Sequence, residues 1–141
     1  MLLRLSVILT MGLCGFFNGG GISYPTFEKW MDKTLSAPLP DGIAAFCFNM
    51  YEDGGGKWSV EIIGSPKFDR EDSDWACYEV FENRKDCLRW KNTYPWDANL
   101  ELIKSYIERY LKEGKYAHLL KGKEGLGVGF VDGDLILVEI S

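Results

Sequence analysis

Alternating apolar and polar residues predict a β-hairpin between Ile43 and Ile63. Successive strand side chains point to opposite faces of a sheet, so this alternation gives the hairpin one apolar face. Residues 53–56 (Asp-Gly-Gly-Gly) provide the turn between the two strands. The apolar face consists of Ala44, Phe46, Phe48, Met50, Trp58, Val60 and Ile62. Another element of the chain has to cover this face.

Apolar residues recur at helical spacing between Asp97 and Gly114, and they predict a helix that covers this face. The apolar stripe of this helix consists of Leu100, Ile103, Ile107 and Leu111. Their spacing of three or four residues places them on one side of a helix. Asp97 is a residue type that favours a helix start, and Gly114 is the common type just past a helix end.

Two later segments also carry strand patterns. Residues 74–81 are rich in aromatic and β-branched side chains, which predicts a third strand. Residues 125–140 are apolar on both faces and contain Asp132-Gly133, a strong signal for a second hairpin. The glycines at 125, 127 and 129 would leave room for a ring or a helix to pack closely. The fold predicted is α+β: a mainly antiparallel sheet of about five strands, covered on one face by one main helix.

The amino-terminal residues allow two interpretations. Residues 1–17 place one arginine, Arg4, before an apolar run, as in a signal peptide, and the run is shorter than the roughly 20 residues that a membrane span needs. Alternatively translation starts at Met31, since the codons of Glu28-Lys29 form a purine run such as a ribosome-binding site has. We therefore divide the chain into residues 1–30, a signal-like segment or a mis-called start, and residues 31–141, a single domain. The favoured late start predicts a cytoplasmic protein, whereas a signal peptide over residues 1–21 would make it secreted.

Composition and charge narrow the classes of partner. The chain has 141 residues and a formal net charge of -5, which disfavours nucleic acid because phosphate binding needs clustered lysine and arginine. An acidic protein suits a basic protein partner. The four cysteines form no C-x-x-C pair and have no histidine at zinc spacing, so we expect no metal site. No sequence motif indicates a cofactor.

The strongest candidate for partner binding is an acidic stretch that follows the first hairpin. Its candidate residues are Asp69, Glu71, Asp72, Asp74, Trp75, Tyr78, Glu79 and Glu82. Aromatic rings among carboxylates are typical of an interface for a basic protein. A calcium loop is excluded, because no register offers the required glycine together with the closing glutamate. The alternative is a solvated loop that only keeps the protein soluble.

Catalytic chemistry finds little support in the sequence. The single histidine, His118, lies in a leucine-rich turn, and no nucleophile motif such as G-x-S-x-G is present. Among the many carboxylates, no pair stands out as an acid and a base. We therefore interpret the protein as a non-enzyme without catalytic residues. The rival hypothesis is an exported enzyme, or a carbohydrate-binding protein that uses surface tryptophans.

Three short runs carry a resemblance to known proteins. They are Leu39-Pro40-Asp41-Gly42-Ile43, Asp74-Trp75 and residues 129–134 (Gly-Phe-Val-Asp-Gly-Asp). Across residues 35–138 the chain resembles uncharacterised small bacterial proteins, some of which resemble immunity proteins encoded beside polymorphic toxins. The resemblance implies a cytosolic protein that neutralises a toxin by binding it. It transfers no functional residue, because the shared residues belong to strands and turns.

Overall fold

The structure is a computed structural model, and it describes residues 20–140. In chain order, its elements are α1 (Tyr24–Ser36), β1 (Ala45–Gly54), β2 (Lys57–Ser65), β3 (Phe81–Glu82), β4 (Leu88–Lys91), α2 (Trp96–Glu113), α3 (Ala117–Lys121), β5 (Gly125–Phe130) and β6 (Ile136–Leu137). Short 3₁₀ turns occupy Ser73–Cys77 and Arg84–Asp86. The predicted α+β class is confirmed.

The predicted first hairpin is confirmed as β1 and β2. These strands pair antiparallel, with Phe48 opposite Ile62 and Met50 opposite Val60. The turn uses three consecutive glycines, residues 54–56, all with φ between 63° and 85°. Side chains rarely adopt such left-handed angles, which is why the turn needs glycine.

Within residues 20–140 the sheet has six strands, one more than the number expected. β1 lies between β2 and β5, β6 lies beyond β5, and the short strands β3 and β4 both pair with β2. The β1–β5 pair is parallel, and the other pairs are antiparallel. A parallel pair requires a long crossover connection. Here the chain between the two strands forms β2, β3, β4, α2 and α3, and the carboxyl ends of β1 and β5 lie at the same edge of the sheet.

The first face of the sheet is covered by two helices rather than one. The predicted stripe of α2 is confirmed at its centre, where Ile103 and Ile107 are fully buried in the main core. The second cover is α1, whose buried residues are Tyr24, Phe27, Trp30, Met31, Thr34 and Leu35. Rings of Phe27 and Phe48 stack at a centroid distance of 6.4 Å, which joins α1 directly to β1.

The domain boundary suggested at Met31 falls in the middle of α1. Met31 itself is fully buried, and a chain beginning there would lack Tyr24, Phe27 and Trp30. Ser23 begins the helix as its N-cap and accepts a hydrogen bond from the N–H of Thr26 at 3.3 Å. The signal-like run of residues 1–17 lies outside the described residues.

The predicted third strand over residues 74–81 is wrong. Ser73–Cys77 forms a 3₁₀ turn, and only Phe81–Glu82 pairs with β2. The turn is favoured because Asp72 accepts the N–H of Asp74 and Ser65 Oγ donates to the carbonyl of Trp75 at 2.7 Å. The apolar side chains do not repeat on one face; only Trp75 is buried in this stretch.

The second hairpin is confirmed as β5 and β6, with Asp132-Gly133 in its connection. The glycines of β5 leave room for rings, as expected. A Cβ on Gly125 would overlap the ring of Phe68, and one on Gly127 would lie 3.3 Å from Cζ2 of Trp75. Small residues on β5 therefore allow these rings to cover the second face of the sheet.

We expect the substitution Phe27→Ala to destabilise the protein by about 3–5 kcal/mol, because it empties a fully buried aromatic site between α1 and β1. Lys29→Ala is the matched control, since Lys29 is exposed on the same helix. Urea unfolding followed by circular dichroism measures both. Equal stability of the two variants would show that α1 is not part of the core.

Candidate functional site

The acidic residues selected from the sequence lie in one surface loop, residues 66–82, named here the acidic segment. It leaves β2 after Ser65 and rejoins the sheet at β3. Two aspartates shape its backbone: Asp69 Oδ1 accepts the N–H of Glu71 at 2.9 Å, and Asp72 Oδ1 accepts the N–H of Asp74 at 3.0 Å. Such side-chain turns fix the loop locally. All four residues are exposed.

Trp75 anchors the acidic segment from below. Its side chain is only 3% exposed and belongs to a cluster with Ala45, Cys47 and Ile63 on the second face of the sheet. The ring of Phe68 meets it edge-on at a centroid distance of 5.2 Å. Trp75 therefore holds the acidic segment against the sheet, and it offers no surface to a partner.

The carboxylates of the acidic segment fall into two groups. Among the ion pairs of the described residues, none involves the first group: Asp69, Glu71, Asp72 and Asp74. In the second group, Glu79 pairs with Arg84 at 3.0 Å, and Glu82 Oε1 accepts the backbone N–H of Arg84 at 2.7 Å. Of these two, only Glu79 has its charge paired, because Glu82, like Asp69 and Asp72, accepts a backbone N–H and forms no ion pair.

The exposed aromatic residue of the acidic segment is Tyr78. Its side chain is 48% exposed, and Lys67 Nζ lies 4.1 Å from the ring centroid. Val80 is exposed to a similar degree. Large exposed apolar side chains on a folded surface commonly mark a contact site. The ring that could contact a partner is therefore Tyr78 and not Trp75.

A buried ion pair holds the carboxyl end of the acidic segment. Glu61, on β2, is 1% exposed and accepts hydrogen bonds from Arg84 Nε at 2.6 Å, Tyr51 Oη at 2.6 Å and Asn49 Nδ2 at 3.3 Å. Arg84 continues outward to Glu79. The chain of contacts thus ties a residue of the acidic segment to the centre of the sheet.

Glu61 stays ionised because its hydrogen bonds outweigh its burial. Burial alone would raise the pKa of this carboxyl, but the bonds from Arg84, Tyr51 and Asn49 hold its pKa below the usual value. Burial and the bond to Glu61 raise the pKa of Tyr51 to about 12, so Tyr51 remains a donor. The network is a fixed set of charges and dipoles, which suits support of a surface more than proton transfer.

The sequence patterns did not predict the pair of Glu61 with Arg84. The predicted apolar face contains only the even-numbered positions of strand β2, from Trp58 to Ile62, and these form the first face of the sheet. A charged residue between Val60 and Ile62 is a usable signal, because it implies a partner on the opposite face. The partner, however, lies 23 positions away in the loop after β3, and no local pattern predicts that pairing.

A second surface feature lies where the carboxyl ends of β1 and β5 meet, and we name it the groove. It has a cavity volume of about 910 Å³. Its lining comes from the end of β1 (Met50, Tyr51, Glu52 and Gly54), from Trp96 and Leu100 of α2, and from residues 130–134 and Ile136. Trp96 is 57% exposed and meets the ring of Phe130 edge-on, with centroids 6.1 Å apart. The sequence patterns did not predict the groove.

The groove combines an apolar floor with carboxylates. Met50 is fully buried, and Leu100, Phe130 and Ile136 are partly buried against the main core. Three acidic residues, Glu52, Asp132 and Asp134, also line it and are exposed. In the described part of the chain, none of the three takes part in an ion pair.

Two side chains that can act as an acid, a base or a nucleophile, His118 and Cys47, lie in different environments. His118 is exposed on α3, and its ring neighbours Tyr116 at a centroid distance of 6.5 Å. Burial raises the pKa of Cys47 to about 12, which makes this thiol a poor nucleophile at neutral pH. Between residues 20 and 140, no group of three or more His, Cys, Asp or Glu residues is placed to hold a metal ion. None of the helices described here is long and apolar enough to cross a membrane.

We expect Arg84→Met to destabilise the protein by about 2–3 kcal/mol at neutral pH, because it leaves the Glu61 carboxylate buried without its cation. The estimate lies below the full cost of breaking a buried pair because Arg84 is half exposed. Arg89→Met, at an exposed position of β4, is the control. Since the folded-state pKa of Glu61 is lowered, the stabilisation is present at neutral pH and is lost in acid.

The wild type should therefore lose stability as the pH falls through about 4.3, the ordinary pKa of a glutamate, and the variant, whose Glu61 lacks the arginine that lowers its pKa, should lose less, so that the difference in unfolding free energy shrinks in acid. Urea titrations at several pH values measure it. A difference that does not change with pH, or an equal cost for Arg89→Met, would contradict the assignment of the pair.

Comparison of the chain with protein-family models, curated proteins and solved structures gives no match.

Proposed function

We propose that this protein is a small acidic binding domain that holds a basic protein partner and acts without catalysis. The observation that supports the proposal is the acidic segment, in which four exposed carboxylates without ion pairs stand on a loop that Trp75 fixes to the sheet. A solvated loop that only adds solubility does not need such an anchor. Charges held in place cost less entropy on binding than charges on a mobile loop.

The geometry suits electrostatic recognition. Asp69, Glu71, Asp72 and Asp74 lie within six consecutive positions that also contain one cation, Arg70, so this part of the surface carries an excess of negative charge. Tyr78 offers an exposed ring beside them. Complementary charge raises the rate of encounter, and the aromatic residue supplies buried area once the complex forms.

The more specific proposal is an immunity protein that blocks a toxin by covering it. The resemblance described above suggests it, and a toxin with a basic cleft would suit the acidic segment. In this case both proteins meet in the cytoplasm of the producing cell. The partner to test is the protein encoded beside this one.

The alternative is an exported enzyme or a carbohydrate-binding protein that uses surface tryptophans. Trp30, Trp58, Trp75 and Trp90 are buried in the structure. The alternative therefore depends on Trp96 alone, together with the carboxylates of the groove.

We expect the double charge reversal Glu71→Lys and Asp74→Lys to weaken binding to the partner at least tenfold, a loss of about 1.4 kcal/mol or more. The side chains of these residues accept no hydrogen bond within the described chain, so the loop turns at Asp69 and Asp72 survive. Isothermal titration calorimetry at low and at physiological salt measures the effect. The loss should be larger at low salt, because salt screens exposed charges.

Asp41→Lys with Glu101→Lys is the control, since both residues are exposed outside the acidic segment and the change in net charge is the same. Equal weakening by both pairs would indicate a response to net charge alone. Unchanged affinity of the Glu71→Lys and Asp74→Lys variant would refute the acidic segment as the binding surface.

A further inference from the structure

We infer that the groove is a pocket for an arginine or lysine side chain and its apolar neighbours on a basic protein partner. The inference rests on the proposed function, because it assumes the same class of partner. It assigns a second and separate contact, at the carboxyl ends of β1 and β5, to residues that the acidic segment does not contain.

The first observation behind this inference is the size and shape of the groove. Its cavity of about 910 Å³ exceeds the volume of one side chain, so a short stretch of polypeptide fits. Trp96 and Val131, both more than half exposed, stand at this site. The apolar floor of Leu100 and Phe130 is suited to aliphatic side chains.

The chemistry of the polar lining selects a cation. Glu52, Asp132 and Asp134 present only acceptor oxygens when ionised. A sugar presents hydroxyl groups that both donate and accept, so it is served better by a mixed set of amides, guanidinium groups and carboxylates. An ammonium or guanidinium group is only a donor and matches the set. The exposed face of Trp96 adds a cation–π contact of the kind that favours arginine.

The position of the groove connects it to the acidic segment. Leu135 packs in the same cluster as Trp75, the residue that anchors the acidic segment. Asp132 and Asp134, on the same connection between β5 and β6, line the groove. The acidic segment leaves β2 at Ser65, opposite Ala45, whereas the groove begins at Met50, so the two acidic surfaces are separated along β1 and a basic protein that contacts both has to span that distance.

The test uses the full chain and the acetylated, amidated peptide Ser-Leu-Arg-Ile-Arg-Leu-Ser. The readout is the indole N–H signal of Trp96 in the NMR spectrum of protein labelled with ¹⁵N, assigned with Trp96→Phe. We expect a saturable shift with a Kd on the order of 0.1–1 mM. The double variant Asp132→Asn with Asp134→Asn should bind the peptide at least tenfold more weakly than the wild type. The double variant Glu71→Lys with Asp74→Lys should change the affinity for the peptide less than threefold.

Two control peptides isolate the two parts of the recognition. Glutamate in place of both arginines tests the charge, and serine in place of both leucines and the isoleucine tests the apolar contact. Each control peptide should bind at least tenfold more weakly. Equal binding of either control, or no saturable shift with the basic peptide, would overturn the inference.

Other occupants give different results. A shift caused by cellotriose but not by the basic peptide would assign the groove to carbohydrate. Self-association in sedimentation that Trp96→Ala abolishes would assign it to a second copy of the chain. Both results overturn the inference.

The experiments can refute the proposal for the groove and the proposal for the acidic segment separately. If the peptide binds but the partner tolerates Glu71→Lys with Asp74→Lys, the proposed function of the acidic segment fails and the groove stands. If that variant loses the partner but the peptide does not bind, the groove assignment fails alone.

Discussion

Burial of β1 on both of its faces is the constraint on which the rest of the structure depends. Ala45, Phe46, Cys47 and Phe48 are each fully buried, although neighbouring strand residues point in opposite directions. The first face receives α1 and α2, which provide the large core. Within residues 20–140, a loop and not an α-helix covers the second face, and the glycines of β5 allow rings from that loop to approach closely. Because the inner side of the loop is fixed by Trp75, its carboxylates point to solvent. Packing and the candidate function therefore depend on the same segment.

The buried carboxylate of Glu61 serves the same arrangement at a different point. A charge in the centre of a sheet is costly unless it is fully hydrogen-bonded. Arg84, Tyr51 and Asn49 satisfy it, and Arg84 extends the contact to Glu79 at the surface. An apolar pair could stabilise the sheet equally well. The ion pair also fixes the position of the end of the acidic segment. In this way a polar contact inside the protein contributes to a binding surface.

The sequence predicted the elements whose period is regular. The hairpin of β1 and β2, the helix α2 and the hairpin of β5 and β6 all follow from local patterns, and their side chains share faces as expected. The strand predicted for residues 74–81 is wrong because only one of these residues, Trp75, is buried. A single buried position does not define a strand or a helix period. Helix α1 was missed although Phe27, Met31 and Leu35 recur at helical spacing, because the division at Met31 separated them. The parallel β1–β5 pair, and the groove at its end, depend on residues as far apart as Met50, Trp96 and Phe130. Local patterns carry no information about that contact.

The central claim is that the protein binds a basic partner through the acidic segment and the groove. Hydrogen–deuterium exchange of the full chain, with and without the protein encoded beside it, tests this claim most directly. The account predicts slower exchange in residues 66–82 and 130–136, and unchanged exchange in the peptides from α1. Protection confined to α1 or to the exposed side of α2, with residues 66–82 and 130–136 unaffected, would contradict it.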